Sequence, residues 1–305
     1  NFGCELGSRP LIDQLQNEAQ LETTSLRFYT SSRHPKFRQH CQLARSGKVL
    51  VVQDCGWQQP SELVEAVSTA VEFGFEAICL SDDTGRCLPS AATRLVSFVR
   101  DCLERRQPAS LKNQGLRIEW SGRNDRGMAL YTGLAAWKAG ASVLHCAYLG
   151  IGEGAGLLST ELLLVNLSLI GCLQRDLSAL KNVSETLAKL LNVELYANLP
   201  VVGIDAFRTG TGVHAAAIVK AHRKGHDWLA DLIYSGIPAT RFGYSQIIEI
   251  GPMAGASNVI YWLRRNGHPT DDQNVQAILQ KAKLSERVLS DQELLDTLKE
   301  SGVTA

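Results

Sequence analysis

Along the chain, short apolar runs alternate with longer stretches in which apolar residues recur every three or four positions. Leu26-Arg-Phe-Tyr-Thr30 reads as a strand, and Lys48-Val-Leu-Val-Val-Gln53 is a near-continuous apolar run of the kind buried on both faces of a parallel sheet. Ala77-Ile-Cys-Leu-Ser81, Leu116-Arg-Ile-Glu-Trp120 and Val143-Leu-His-Cys-Ala147 read the same way. Between them, Ser61 to Phe73 sets Leu63, Val64, Val67, Ala70 and Val71 at helical spacing, with Ser61 placed as the N-cap. Further helices are expected over Pro89 to Cys102 and over Gly127 to Ala139.

Strands and helices in alternation make right-handed βαβ units, so the expected class is α/β with a parallel sheet. A doubly wound sheet and a (β/α)8 TIM barrel both satisfy that pattern. The barrel is favoured because polar and glycine-rich clusters follow one strand end after another. They are Gln53-Asp54-Cys55-Gly56, Ser81-Asp82-Asp83-Thr84-Gly85, Ser121-Gly122-Arg123-Asn124-Asp125 and Gly150-Ile-Gly-Glu153. Barrels build their active sites from such carboxyl-end loops. The run Gly150 to Gly156 lacks the strand–turn–helix setting and acidic partner of a dinucleotide fingerprint. From Leu158 the pattern turns helical, with apolar-periodic stretches over Glu161 to Leu173 and Val183 to Leu191. Leu199-Pro-Val-Val-Gly203 reads as extended. The tail from Asp271 to Ser301 reads as two solvent-facing helices, the second opening at Ser290 and Asp291. Residues 1–175 are thus assigned to a barrel portion and 176–305 to a mainly helical linker and C-terminal subdomain.

Composition narrows the function classes. Lys and Arg number 31, as do Asp and Glu, and this balance argues against a dedicated nucleic-acid binder, whose footprint is a basic excess. At 45% hydrophobic and 20% charged, the chain can bury a sizeable core and is not of disordered composition. No apolar run reaches the ~18 residues of a membrane span, and the first residues carry no signal-peptide core. The 8 cysteines are scattered without a C-x-x-C pair. Reduced thiols in a cytoplasmic protein are therefore expected, rather than a zinc ribbon or redox motif. Cys79, inside an apolar run, reads as a small hydrophobe, and His145 as a satisfied core histidine.

Asn124-Asp-Arg-Gly127-Met-Ala129, then Ala139-Gly-Ala141, then Gly150-Ile-Gly-Glu153-Gly-Ala-Gly156, resemble the last two strands of the barrel in the DRE-TIM metallolyase superfamily. The 2-isopropylmalate and homocitrate synthases are the branch most similar. Asp82-Asp-Thr-Gly85 with Pro89 resembles that family's Asp-Thr-x-Gly loop. Pro200 to Phe207, Gly212-Val-His214 and Glu249 to Asn258 resemble its linker subdomain. The resemblance implies a Claisen-type condensation. Acetyl-CoA loses a methyl proton and attacks the ketone of a 2-oxo acid, and the thioester is then hydrolysed. It also implies a dimer in which one subunit's linker reaches into the other's barrel. A divalent metal (Mg, Mn or Zn) would polarise the ketone, held by an Asp after the first strand and a His-x-His pair before Asn-Asp.

The departures from the family fall on that metal. Ser121 and Arg123 stand where the two histidines are expected, and a guanidinium offers a cation no lone pair. Gly154 stands for an Arg, and Leu157 for the Asn after Gly156. The Asp-x-x-Leu-Arg-Glu segment of the first strand is missing, because Asn1 falls in what resembles the second. About six barrel strands are therefore expected, in a fragment of a longer protein or in a sheet closed by something else. Metal ligands are expected to be lost, leaving no stoichiometric divalent site. The resemblance carries a catalytic role onto His214, with Glu153 orienting the thioester or a base. The alternatives are a surface histidine and a cap for the helix near Leu158. Asp82 and Thr84 either contact the oxo acid or CoA, or bond locally within their turn. Arg123 either binds a carboxylate bidentately or pairs with Asp125 or Asp82. Asn124 and Asp54 complete the substrate-binding set. Three functions stay open: a divergent synthase-like acyltransferase, a non-catalytic partner of an intact synthase subunit, and a metal-independent lyase or aldolase that uses Arg123 as an electrostatic substitute.

Overall fold

The structure, a computed structural model, describes residues 2–5, 26–31, 48–106 and 115–301. The chain divides into two compact units, Asn1–Leu163 and Leu164–Ala305.

Among the described residues the first unit has six strands: β1 (Phe2–Glu5), β2 (Leu26–Ser31), β3 (Lys48–Val52), β4 (Ala77–Asp82), β5 (Arg117–Gly122) and β6 (Val143–Leu144). They pair in chain order and all in parallel. A doubly wound sheet reverses its strand order at a switch point. This sheet does not, and its order is that of a barrel. Helices α1 (Pro60–Glu72), α2 (Pro89–Arg106) and α3 (Ala129–Ala139) supply the crossovers after β3, β4 and β5.

Strand alternation sorts the side chains onto two faces. Leu50, Val52, Ile78, Leu80, Ile118 and Trp120 pack under the helices against Leu63, Val67, Val96, Val99 and Ala136. The other face carries a separate cluster of Val49, Val51, Ala77 and Cys79, beside the fully buried Glu119.

Two local details differ from the sequence reading. The N-cap of α1 is Gln59 rather than Ser61, with Pro60 as the first helical residue and the Glu62 carboxylate accepting the Gln59 N–H at 2.6 Å. Proline suits that position because its missing N–H is one the first turn leaves unpaired anyway. β6 stops at Leu144 instead of running to Ala147, because the chain turns into a 3-10 segment, Tyr148–Gly150, with Leu149 at φ 57°.

α4 (Thr160–Leu169) carries the division between the units. The second unit continues with α5 (Leu180–Leu190), α6 (Gly212–Arg223), α7 (Asp227–Ala230), α8 (Ala256–Arg265), α9 (Asp272–Leu284) and α10 (Asp291–Glu300). It also has one parallel pair, β7 (Arg208–Thr209) with β8 (Ile247–Ile248). Leu199 to Gly203 is a turn and not a strand. Gly203 N–H bonds Leu199 O at 2.9 Å and Val202 N–H bonds Pro200 O at 2.9 Å, so the segment's backbone groups are satisfied locally. α10 opens as expected at Ser290, whose hydroxyl accepts the Glu293 N–H while the Glu293 carboxylate accepts the Ser290 N–H. Both tail helices bury one face: Val275, Ile278, Leu294 and Leu298 join Val259 and Leu263 of α8 in one core.

Candidate active site at the carboxyl ends of the strands

The loops that follow β3, β4, β5 and β6 are stitched into one rim by their own backbone. Asp54 N–H donates to Asp83 Oδ2 at 2.8 Å, joining the first two loops. Arg123 N–H bonds Asp82 O at 3.2 Å, and Asn124 N–H bonds Gly156 O at 2.8 Å. Arg126 Nη1 donates to Arg86 O at 3.1 Å. The close approach is why glycine stands at position 85: its φ is +61°, and a Cβ there would lie 2.8 Å from Arg123 O.

Within this rim Asp82, Asn124, Arg123 and Glu153 have definite side-chain partners. The Asp82 carboxylate is 4% exposed and accepts the N–H groups of Arg86 (3.1 Å) and Cys87 (2.9 Å), closing its own turn. Asn124 Oδ1 accepts Ala129 N–H at 3.2 Å, at the start of α3. Arg123 makes a two-point pair with Asp125, at 2.9 and 3.1 Å, and its third nitrogen lies 3.5 Å from Glu153. Glu153 is otherwise exposed and does not reach α4. The carboxylate that does the bonding there is Glu161, 1% exposed, which accepts Leu149 N–H at 2.9 Å and the Ser159 hydroxyl at 2.8 Å. Glu161 thereby holds the strained Leu149 turn, a role that the helical pattern around it does not reveal. Thr84 and Asp54 sit half-buried in the same rim, Asp54 in the left-handed region at φ 47°. The Cys87 hydrogen bond, and then burial, push the nearby Cys55 thiol well above its ordinary range, so it is an inert neighbour rather than a nucleophile.

Gly154 explains how Arg123 fits. Its φ is +61°, and a Cβ on it would collide with the Arg123 guanidinium. The bare glycine is the space into which the arginine lies.

His214 belongs to the second unit, near the start of α6. Its Nδ1 is 3.3 Å from Thr209 Oγ1 and its ring stacks on Tyr234 with centroids 3.5 Å apart. The structure thus gathers Asp54, Asp82, Thr84, Arg123, Asn124 and Glu153 at one sheet end and places His214 in the other unit.

The positions where the resemblance puts metal-binding histidines do not fit a cation. Ser121 is a weak neutral donor, and the Arg123 guanidinium is fully engaged with carboxylates. Lower on the same strands the inner face does offer donors. Cys79 on β4, Glu119 on β5 and His145 after β6 present their ligand atoms within 4.8 Å of one another. His145 Nε2 is 2.8 Å from Glu119 Oε2 and 3.9 Å from Cys79 Sγ. The expectation that metal ligands are lost is therefore not supported for this sheet as a whole. It compared only the strand-end positions. No helix among the described residues is long and apolar enough to cross a membrane.

Comparison with known proteins sets this geometry in context. A family model described as HMGL-like matches residues 23–187. A homocitrate synthase of Pyrococcus horikoshii is 27% identical over 224 residues, 73% of this chain and 56% of that protein. A probable 2-isopropylmalate synthase of Methanopyrus kandleri is 27% identical over 223 residues, covering 72% and 41%. An (R)-citramalate synthase of Aquifex aeolicus is 27% identical over 234 residues, covering 75% and 41%. The chain thus spans about half the length of these curated relatives. Among solved structures, a hydroxymethylglutaryl-CoA lyase of Pseudomonas aeruginosa aligns with a TM-score of 0.49 at 13% identity, covering 64% of this chain and 71% of that one.

Proposed function

Because the chain belongs to the HMGL-like family, we propose that it is a divergent 2-isopropylmalate/homocitrate synthase-like protein whose reaction is the condensation of acetyl-CoA with a 2-oxo acid. One observation carries this reading. Relatives named for that class of synthase match about three quarters of the chain, and the family model spans residues 23–187, which include the loops of the rim.

The reaction develops negative charge on the ketone oxygen as the C–C bond forms, and it needs a positive group there. At the strand end that charge is the Arg123 guanidinium. Asp125 and Glu153 hold it in place and offset most of its field. Asp82 and Asn124 keep the loops in register rather than reaching out of the rim. The free thiols of the described cysteines suit a reducing compartment such as the cytoplasm.

The same engagement of rim side chains favours a second reading. The chain would then be a non-catalytic partner that dimerises with an intact synthase subunit and presents His214 to it. The test is release of free CoA thiol from acetyl-CoA with a panel of 2-oxo acids and added divalent cation. Thiol release that requires both the chain and one particular oxo acid supports the synthase. Background release by the chain alone, together with a rise in an intact synthase's activity on mixing, supports the partner and rejects the synthase.

A further inference from the structure

We propose that Cys79, Glu119 and His145 form a zinc-type metal centre on the inner face of the sheet, below the strand ends. The proposal stands on the geometry of these three residues and does not depend on the condensation reading.

Strand register makes the site. Cys79 and Glu119 are direct partners across β4 and β5, so their side chains leave the sheet side by side on one face. His145 N–H bonds Trp120 O at 2.8 Å, which carries its ring alongside Glu119. Donors from two neighbouring strands and from the residue just after a third then come together. A four-coordinate zinc with bonds of about 2.0–2.3 Å separates its donor atoms by roughly 3.3–3.8 Å. The 2.8 and 3.9 Å separations around Nε2 bracket that range, and the three ligand atoms all lie within 4.8 Å of one another, so seating the ion needs small adjustments of the side chains. The Glu119 side chain is 0% exposed and the His145 side chain 25% exposed.

The arrangement fits a metal better than a nucleophilic relay. In a Cys–His–carboxylate relay the thiol and the acid engage opposite ring nitrogens. Here both lie against Nε2, so sulfur and oxygen gather around one ring nitrogen. The charges also match. A thiolate, a carboxylate and a neutral imidazole sum to −2, which a divalent ion neutralises inside a buried site. Thiolate and imidazole select zinc, or cobalt in its place, over magnesium or calcium. Among the described residues the group supplies three protein ligands, the number found in catalytic zinc sites.

The test uses the whole chain, stripped with a chelator and titrated with cobalt(II). One equivalent should bind with tetrahedral d–d bands and a thiolate-to-cobalt charge-transfer band in the near ultraviolet, and zinc should displace it. Cys79→Ser should abolish the charge-transfer band. Cys79→Ser and His145→Gln should each weaken binding by about a hundredfold or more, since even outer partners of metal ligands are worth 10–100-fold. Cys146→Ser, at an exposed thiol, should leave the spectrum unchanged. X-ray absorption of the zinc-loaded wild type gives a readout free of any folding defect, and one sulfur neighbour at about 2.3 Å is expected. The proposal is overturned if cobalt does not bind, if the charge-transfer band survives Cys79→Ser or vanishes in Cys146→Ser, or if the bound zinc has no sulfur neighbour.

Discussion

Gly154→Ala tests whether the rim is built around Arg123. The substitution acts in two ways. It forces alanine into a backbone at φ +61°, which costs about 1–2 kcal/mol for a residue with a Cβ. It also drives the new methyl into the Arg123 guanidinium. The guanidinium is the far end of a flexible side chain, so it can move, but only by giving up its two-point pair with Asp125. That pair is partly exposed, at 23% and 35%, and contributes about 0.5–1 kcal/mol. The wild-type background should therefore lose roughly 1.5–3 kcal/mol, and the Arg123→Ala background only the backbone share of about 1–2 kcal/mol. The coupling in this double-mutant cycle is expected near 0.5–1 kcal/mol. Hydrogen exchange of the buried β4 and β5 amides, which requires opening of the first unit, reads these free energies directly. If the two substitutions add to within about 0.3 kcal/mol, Arg123 does not lie in the space that Gly154 leaves, and this reading of the rim fails.

Two further outcomes follow from individual contacts. Glu161→Gln keeps the shape of a buried side chain but removes the charge that receives Leu149 N–H and the Ser159 hydroxyl. A loss of about 1–3 kcal/mol should appear as faster exchange at the Leu149 amide. Glu293 has its carboxyl lowered from an ordinary 4.5 to about 2, first by Arg287 and then by the bonds with Ser290. A depressed folded-state value means that its stabilisation of α10 is complete above about pH 4.5 and is lost as pH falls toward 2. Far-ultraviolet dichroism should show the start of α10 loosening in that window, with the pH dependence absent in Glu293→Gln.

Much of the first unit is legible in the sequence because its strands are buried on both faces. Lys48 to Val52 and Ala77 to Asp82 are near-continuous apolar runs, and almost every residue in them is buried. β6 is three residues shorter than its apolar pattern suggests, because Val143 to Ala147 keeps its apolar character while the backbone turns at Leu149. The rim positions were legible as polar clusters at strand ends, but the direction of their bonds was not. Asp82-Asp-Thr-Gly leaves open whether the carboxylate closes its own turn or reaches a substrate, and nothing in the glycine-rich run says that Gly154 makes room for Arg123. The inner-face group was missed for a different reason. Cys79 and His145 lie 66 residues apart, each in an apolar run where it passes for a core residue. Only the pairing of β4 with β5 places Glu119 beside them. One signal was available: a glutamate between Ile118 and Trp120 on the opposite face of a core strand is rarely buried unless something holds it.

The account's central claim is that this sheet keeps its metal donors below the strand ends, while an arginine holds the strand-end position. The most direct measurement is anomalous diffraction at the zinc edge from crystals of the zinc-loaded chain. A single peak about 2.0–2.3 Å from Cys79 Sγ, His145 Nε2 and a Glu119 oxygen is the predicted result. A peak at the Ser121 and Arg123 end of β5, or no ordered peak in the first unit, would contradict it.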